Sequence, residues 1–159
     1  MHTMTTLLLP LTLSLVTAAV WPVGPPRPEV LRGWEPPPGP YASGHRGLDL
    51  AAPPGAEVLA PAPGTVGFAG PVAGRGVLTI TLTGTGSPPL RTTYGPVEPL
   101  VRTGTVVRAG DPVARVAPGG HCPRACLHWG LLRGERYLNP LGLLRGGPSR
   151  LLPVTGGAA

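Results

Sequence analysis

GHRGLDLAAPPGAEVLAPAPGTVGFAG, residues 44–70, is the stretch that decides the fold of this chain. Short runs of Val, Leu and Ala alternate in it with Pro-Gly turns at 53–55 and 63–64, a pattern typical of short β-strands. The alternation continues towards the C-terminus, and no window keeps the roughly 3.6-residue apolar period of an amphipathic helix. We therefore predict a packed all-β domain with little or no helix. Strands are predicted over 57–60, 65–69, 77–83, 91–97, 113–116 and 127–132.

The composition of the 159 residues agrees with a packed β domain. Gly (25) and Pro (24) would indicate disorder in a polar sequence, but 42% of the residues are hydrophobic and supply a core. The formal net charge is +6, and every basic residue is Arg. Such a surface attracts polyanions, including acidic cell-wall polymers. Nucleic acid is not an expected partner, because the arginines are scattered and the few aromatics do not interleave with them.

The two ends of the chain differ in composition from the middle. Residues 1–20 contain no charged side chain, and their apolar stretch is shorter than the about 20 residues that span a bilayer. With the small residues that follow, this predicts an export signal over 1–19, with transient membrane contact through residues 1–20 and a secreted or cell-envelope location. An uncleaved anchor is the alternative. A Pro-rich arm or linker is expected over 20–42, a globular domain over 43–145 and a flexible tail over 146–159.

His45, Gly47 and Asp49 alternate within the opening stretch. In an extended segment, residues two and four positions apart share a face, so the imidazole and the carboxylate would project side by side with Gly47 leaving room between them. His128, in CLHW at 126–129, offers a third group of the same kind. Three protein ligands and one open position are how catalytic zinc sites are built. The pattern predicts a Zn²⁺ site made by His45, Asp49 and His128.

The chain has two cysteines, Cys122 and Cys126, four positions apart in HCPRAC. In an exported protein a close pair indicates a local disulfide, which is the interpretation that we favour. Two free thiols, or a Cys126 thiolate facing the metal, are the alternatives. A thiolate would be a fourth zinc ligand and would close the site, whereas a disulfide would brace the loop beside it.

These motifs resemble those of the lysostaphin-like zinc metallopeptidases (metallopeptidase family twenty-three), which cut peptidoglycan cross-links. The resemblance runs over about residues 44–144. The opening stretch is similar to the family's first block with its His-x-Gly-x-Asp signature, VRTGTVVRAGDPVARV (101–116) to a later strand pair, and CLHWGLLRGERYLNPLGLL (126–144) to the final block. The resemblance implies a compact antiparallel β-sheet with a groove over the metal. It also implies that peptidoglycan or another cell-wall polymer is the partner and that the zinc ligands are His45, Asp49 and His128. We expect the protein to be a monomer.

Two positions depart from the family pattern. Cys126 stands where the family's final motif has its first histidine, and Pro96 stands where a second catalytic histidine follows the middle-block tyrosine, here Tyr94. Because general acid–base help contributes about 10²–10⁴-fold, we expect a zinc endopeptidase of reduced activity; the alternative is an inactive zinc-containing module that binds or regulates the cell wall. The candidates for the missing catalytic group are His121, Tyr94 and Glu98. Their plainer interpretations are an exposed loop histidine, a packed strand tyrosine and a surface glutamate.

Overall fold

The computed structural model describes residues 18–39 and 41–145. The tail predicted over 146–159 and all but the last two residues of the export signal predicted over 1–19 lie outside this part of the chain. No helix within it is long and apolar enough to cross a membrane. In chain order its elements are β1 (Val30–Arg32), β2 (Leu48–Ala51), β3 (Glu57–Leu59), β4 (Gly64–Val72), β5 (Arg75–Leu82), β6 (Leu90–Gly95), β7 (Val97–Pro99), β8 (Val106–Val107), β9 (Pro112–Val116), β10 (Cys126–Arg133), β11 (Arg136–Leu138) and the single-turn helix α1 (Leu141–Leu144).

Two antiparallel sheets make up the described domain. The larger has the strand order β1-β2-β10-β6-β5-β4-β8, with β11 pairing β10 beyond this path, and the smaller has the order β3-β9-β7. The prediction of an antiparallel all-β domain is confirmed. Every predicted strand is present, although the run predicted over 91–97 is divided into β6 and β7 at Pro96, which has no backbone N–H for the ladder.

One hydrophobic core draws on both sheets. Leu48 and Leu50 of β2 and Trp129 of β10 are fully buried from the larger sheet, and Val58 and Val113 are fully buried from the smaller one. Each large apolar side chain that is removed from water in this way contributes about 1.5–3 kcal/mol. The strands that carry the histidine and aspartate motifs are therefore central elements of the core, which holds their backbones in place.

The Pro-rich segment predicted over 20–42 packs on the domain and is not a free linker where the structure describes it. Its strand β1 pairs antiparallel with β2, and Trp34 packs against the core. Glu35 and His45 form an isolated antiparallel bridge with backbone hydrogen bonds of 3.1 and 2.8 Å. The segment docks because its few apolar side chains bury against the sheet, and it lies beside the strand that carries Asp49.

Candidate metal centre

Strand pairing brings the motif residues together. β2 and β10 are antiparallel neighbours, and their register sets Asp49 directly opposite His128. Residues directly opposite in an antiparallel pair project to the same face, with Cβ atoms about 4.5–5.5 Å apart. On the other side of β10, His128 is paired with Gly95 of β6, which has no side chain to cover it. His45 precedes β2, and its bridge to Glu35 holds it beside the same face.

Asp49 lies at the centre of three imidazole rings. Its Oδ1 is 2.8 Å from His128 Nδ1 and 3.1 Å from His45 Nε2, and its Oδ2 is 2.8 Å from His121 Nε2. Asp49 and His45 are only 2% and 4% exposed. The side chains of His128 and His121 are 28% and 50% exposed. The cluster is therefore closed on the Asp49 side and open to solvent on the side of His121 and His128.

The tautomer of His45 follows from its partners. The ring Nδ1 lies 2.6 Å from the carbonyl oxygen of Gly33, and because a carbonyl only accepts, Nδ1 donates the hydrogen. In the neutral ring Nε2 then carries a lone pair. This Nε2 is buried and has no hydrogen-bond partner, although a carboxylate oxygen of Asp49 is 3.1 Å away. A buried lone pair and a carboxylate that face each other are compatible only with a cation between them, either a proton or a metal ion, and a histidine held by a carbonyl on its other nitrogen is the usual form of a metal ligand.

Position 47 has no room for a side chain, which is why it is glycine. A Cβ at this position would lie 2.4 Å from the carbonyl oxygen of Trp129 and 2.8 Å from Nε2 of His128. Any side chain would therefore push β10 and the His128 ring away from Asp49. The spacing His-x-Gly-x-Asp thus has a steric cause as well as a chemical one.

The charge of the cluster lies on Asp49. Burial opposes ionisation of its carboxyl group, but hydrogen bonds from His128 and His121, together with the nearby His45, outweigh burial and lower the pKa of Asp49 to about 2. Among the described residues, the carboxylate oxygen and three ring nitrogens of His45, Asp49, His121 and His128 lie within 4.8 Å of one another. A tetrahedral zinc ion with bonds of about 2.0–2.1 Å sets its ligand atoms about 3.3 Å apart, so the donor types and the spacing of this group fit zinc.

Among the three candidates for a catalytic group, His121 is the one that lies in the cluster. Its ring is half-exposed, but its Nε2 is hydrogen-bonded to Asp49 Oδ2. Because a carboxylate only accepts, Nε2 donates and Nδ1 of the neutral ring remains as the basic atom. Sequence reasoning could point to His121 only as a histidine a few residues before β10, because nothing in a loop sequence fixes where its side chain lies.

The other two candidates lie elsewhere. Tyr94 is paired in register with Trp129, whose side chain points away from the face that carries His128. The tyrosine is buried, its hydroxyl shares a 2.7 Å hydrogen bond with Thr92 Oγ1, and desolvation raises its pKa. Glu98 is exposed on β7 in the smaller sheet and is not one of the clustered ligands. Tyr94 is thus a packing residue and Glu98 a surface residue.

The sulfur atoms of Cys122 and Cys126 are joined as a disulfide in the structure. Cys126 is buried at the start of β10, and Cys122 lies in the preceding loop. In this arrangement neither sulfur is a thiolate, so neither is available as a zinc ligand.

The fold and this cluster define a class of metallopeptidase domains. The chain belongs to peptidase family M23, whose family model matches residues 43–140. Uncharacterized proteins of Mycobacterium tuberculosis and Mycobacterium bovis are each 42% identical to it over 141 residues, which cover 85% of this chain and 55% of theirs. The chain thus spans about half the length of the curated relatives it matches.

Solved structures agree with the family. A zinc-containing peptidase from Vibrio cholerae superposes with a TM-score of 0.60 at 25% identity, covering 77% of this chain and 39% of that one. Csd3 of Helicobacter pylori gives a TM-score of 0.62 at 28% identity, covering 85% and 35%. The catalytic domain of lysostaphin from Staphylococcus simulans gives 0.63 at 19% identity, covering 74% and 92%, which supports the fold alone. The resemblance to the lysostaphin-like metallopeptidases is confirmed.

Proposed function

We propose that this chain is a zinc endopeptidase that acts on peptidoglycan peptides, with Zn²⁺ held by His45 Nε2, Asp49 Oδ1 and His128 Nδ1. The observation that carries the proposal is the buried, unbonded Nε2 of His45 facing an ionised carboxylate. Zinc held by these residues would supply a Lewis acid for the scissile carbonyl and would lower the pKa of a water molecule towards neutral pH. The carbonyl of Gly33 orients His45, and the pairing of β2 with β10 sets Asp49 against His128.

A groove beside the cluster offers a place for the peptide. Its volume is about 290 Å³, and His121 and His128 form one wall of it. The opposite walls come from the start of β5 and the end of β6, so an extended peptide would pass over the exposed faces of both imidazoles. The residues that line it are Arg75, Gly76, Val77, Gly95, Pro96, Gly120, His121 and His128.

His121 is the residue that we propose as the general acid–base group. Asp49 fixes one ring nitrogen through Oδ2, which leaves Nδ1 to take a proton from the attacking water and return it to the leaving amine. A carboxylate that orients an imidazole in this way also stabilises the imidazolium formed during the reaction. The family positions filled by Pro96 and Cys126 contribute no such group, so His121 stands in for them.

The experiment that tests the proposal is zinc-dependent release of peptide fragments from purified cell walls. We expect turnover by the zinc-loaded protein, no turnover by Asp49→Ala, and unchanged turnover by Glu98→Gln, whose side chain is outside the cluster. An absence of release by zinc-loaded wild-type protein on walls of several cross-link types would overturn the proposal.

A second candidate function is a zinc-containing module that binds or regulates the cell wall without hydrolysis. Pro96 and Cys126, which replace the family's two auxiliary histidines, favour it. Co-sedimentation of the protein with purified walls, without release of fragments, would support this second function, whereas measurable turnover would exclude it.

We also infer that the protein is an exported monomer in the secreted or cell-envelope fraction. The apolar segment within residues 1–19 supports export, and a disulfide persists in oxidising compartments. N-terminal sequencing of the protein from the envelope fraction is expected to find a start near residue 19 or 20. Recovery of the whole chain from the cytoplasm alone, with both cysteines reduced, would contradict this inference.

A further inference from the structure

We propose that Pro96 and Cys126 form a seat for the loop of residues 117–125, here called the histidine loop, and that the Cys122–Cys126 disulfide holds His121 against Asp49. The expected fall in activity rests on the proposed zinc-peptidase function, whereas the position of His121 beside Asp49 does not. In it, Pro96, Cys122 and Cys126 are positioning residues, and His121 is the group that they position.

The histidine loop has few ties of its own. At its start Ala117 N donates to the carbonyl of Pro96 at 3.0 Å, and at its end the carbonyl of Ala125 accepts from Ala52 N at 3.4 Å. Between them, no backbone group of residues 118–124 bonds to another backbone group within residues 18–39 and 41–145. A loop without a hydrogen-bond ladder is ordered only by its side chains and by contacts with its surroundings.

Among the described residues, the side chains of the histidine loop make three bonds or ion pairs, besides the ring contacts of His121 with His45 and His128. The first is the hydrogen bond from His121 to Asp49, the second is the disulfide, and the third is an ion pair between Arg124 and Glu29 at 3.2 Å. The ion pair is mostly exposed on both sides, and such pairs contribute little. The disulfide is therefore the strongest constraint on the loop, and it is adjacent to His121 in sequence.

The seat itself is visible at Gly120, the residue before His121. A Cβ at Gly120 would lie 3.5 Å from Pro96 Cδ and 3.6 Å from Cys126 Sγ, so these two side chains border the space beside Gly120. Cys126 is 3% exposed and anchored in β10, and the two sulfurs lie within 4.8 Å of an Asp49 carboxylate oxygen. The two positions that lack the family's histidines thus lie next to the loop that carries His121.

Opening the disulfide should release His121. Reduction by a dithiol transfers two electrons and two protons to the Cys122 and Cys126 sulfurs and leaves two thiols, while the reductant becomes a disulfide. His121 would then spend less time beside Asp49. We expect kcat/KM to fall by about 10²-fold, the lower end of what a general acid–base group contributes.

The test compares Cys122→Ala/Cys126→Ala with wild type and with Arg124→Ala as the matched loop control. Removing both cysteines avoids leaving a lone thiolate near the metal. The first measurement is the exchange-protected imidazole N–H proton of His121 in the NMR spectrum of zinc-free protein, assigned by its loss in His121→Ala. We expect this proton in wild type and in Arg124→Ala, and we expect it to be absent from the double variant. If the double variant does not fold, wild type reduced by a thiol under native conditions takes its place.

The second measurement is kinetic. The triple variant combines Cys122→Ala and Cys126→Ala with His121→Ala. If the disulfide acts through His121, the losses in kcat/KM are not additive, and the triple variant is no slower than His121→Ala alone. A His121 proton that persists in the double variant or in reduced wild type would overturn the proposal. The proposal would also be overturned if kcat/KM of the triple variant fell by the product of the fold-losses of the double variant and of His121→Ala. If even wild type shows no turnover, the proposed function fails, while the NMR result still decides whether the disulfide seats the loop.

Discussion

Replacing Gly47 by Ala tests how tightly the centre is built. The added Cβ would stand 2.4 Å from the carbonyl oxygen of Trp129 and 2.8 Å from Nε2 of His128. The first contact is with backbone, so relief requires β2 and β10 to separate by roughly 0.5–1 Å, a movement that overpacked cores make at a cost of about 1–3 kcal/mol. Asp49 lies on β2 and His128 on β10. We therefore expect the free energy of unfolding to fall by about 1–3 kcal/mol and zinc affinity to fall with it.

The assay for Gly47→Ala has two parts. Urea unfolding of the zinc-free protein gives the loss of stability, and competition with a chromophoric chelator gives the loss of zinc affinity, which we expect to reach about 10-fold or more because ligand geometry must hold within about 0.5 Å. Gly142→Ala is the control, since a Cβ there meets nothing within 4 Å. Its stability and zinc affinity are expected to stay near wild type. A Gly47→Ala protein that matches this control in both measurements would refute the steric argument.

Other predictions concern pH, the core and the metal. The pKa of Asp49 is lowered from 3.8 to about 2, so its contribution of about 2 kcal/mol to zinc-free stability is present above pH 4 and is lost as pH falls towards 2. Urea unfolding at several pH values should show that the free energy of unfolding falls between pH 4 and pH 2 in wild type and falls less in Asp49→Asn. An equal fall in both proteins would contradict this prediction. Tyr94→Phe removes the hydroxyl that is bonded to Thr92, and calorimetry should find a loss of about 1 kcal/mol with zinc affinity unchanged. Free zinc at about 100 times its Kd should stabilise the protein by about 2.7 kcal/mol, and removal by a chelator should reverse this; a melting temperature indifferent to zinc would count against the site.

Most of the fold could be predicted from the sequence because its longer strands leave a local signal. The runs that became β4, β5, β6, β9 and β10 are rich in apolar or β-branched residues and are separated by turns that contain Gly or Pro. The strands that escaped prediction, β1, β8 and β11, are two or three residues long and give little periodic signal, whereas β2 was predicted only as the extended segment that carries Asp49. The pairing of the Pro-rich segment with β2 was not predicted either, because it depends on a free edge of β2 that the local sequence of the segment does not reveal.

Some residues of the site could be predicted from the sequence and others could not. His45, Asp49 and His128 could be named from spacing because a strand fixes which side chains share a face. The chain bends at residues 46–47 before β2 begins, so the shared face of His45 and Asp49 comes from the bridge to Glu35 as well as from the strand period. The position of His121 could not be predicted, since it depends on contacts between a loop and two side chains that the fold brings to it. The same holds for Gly33, whose carbonyl orients His45.

The central claim is that Asp49 and its neighbouring imidazoles hold zinc, and metal analysis combined with zinc X-ray absorption on the oxidised protein tests it most directly. We expect one zinc ion per chain with nitrogen and oxygen neighbours at about 2.0–2.2 Å and no sulfur neighbour, and we expect the metal to be lost in Asp49→Ala. Protein that retains no zinc after loading, or zinc bound by sulfur at about 2.3 Å, would contradict the account.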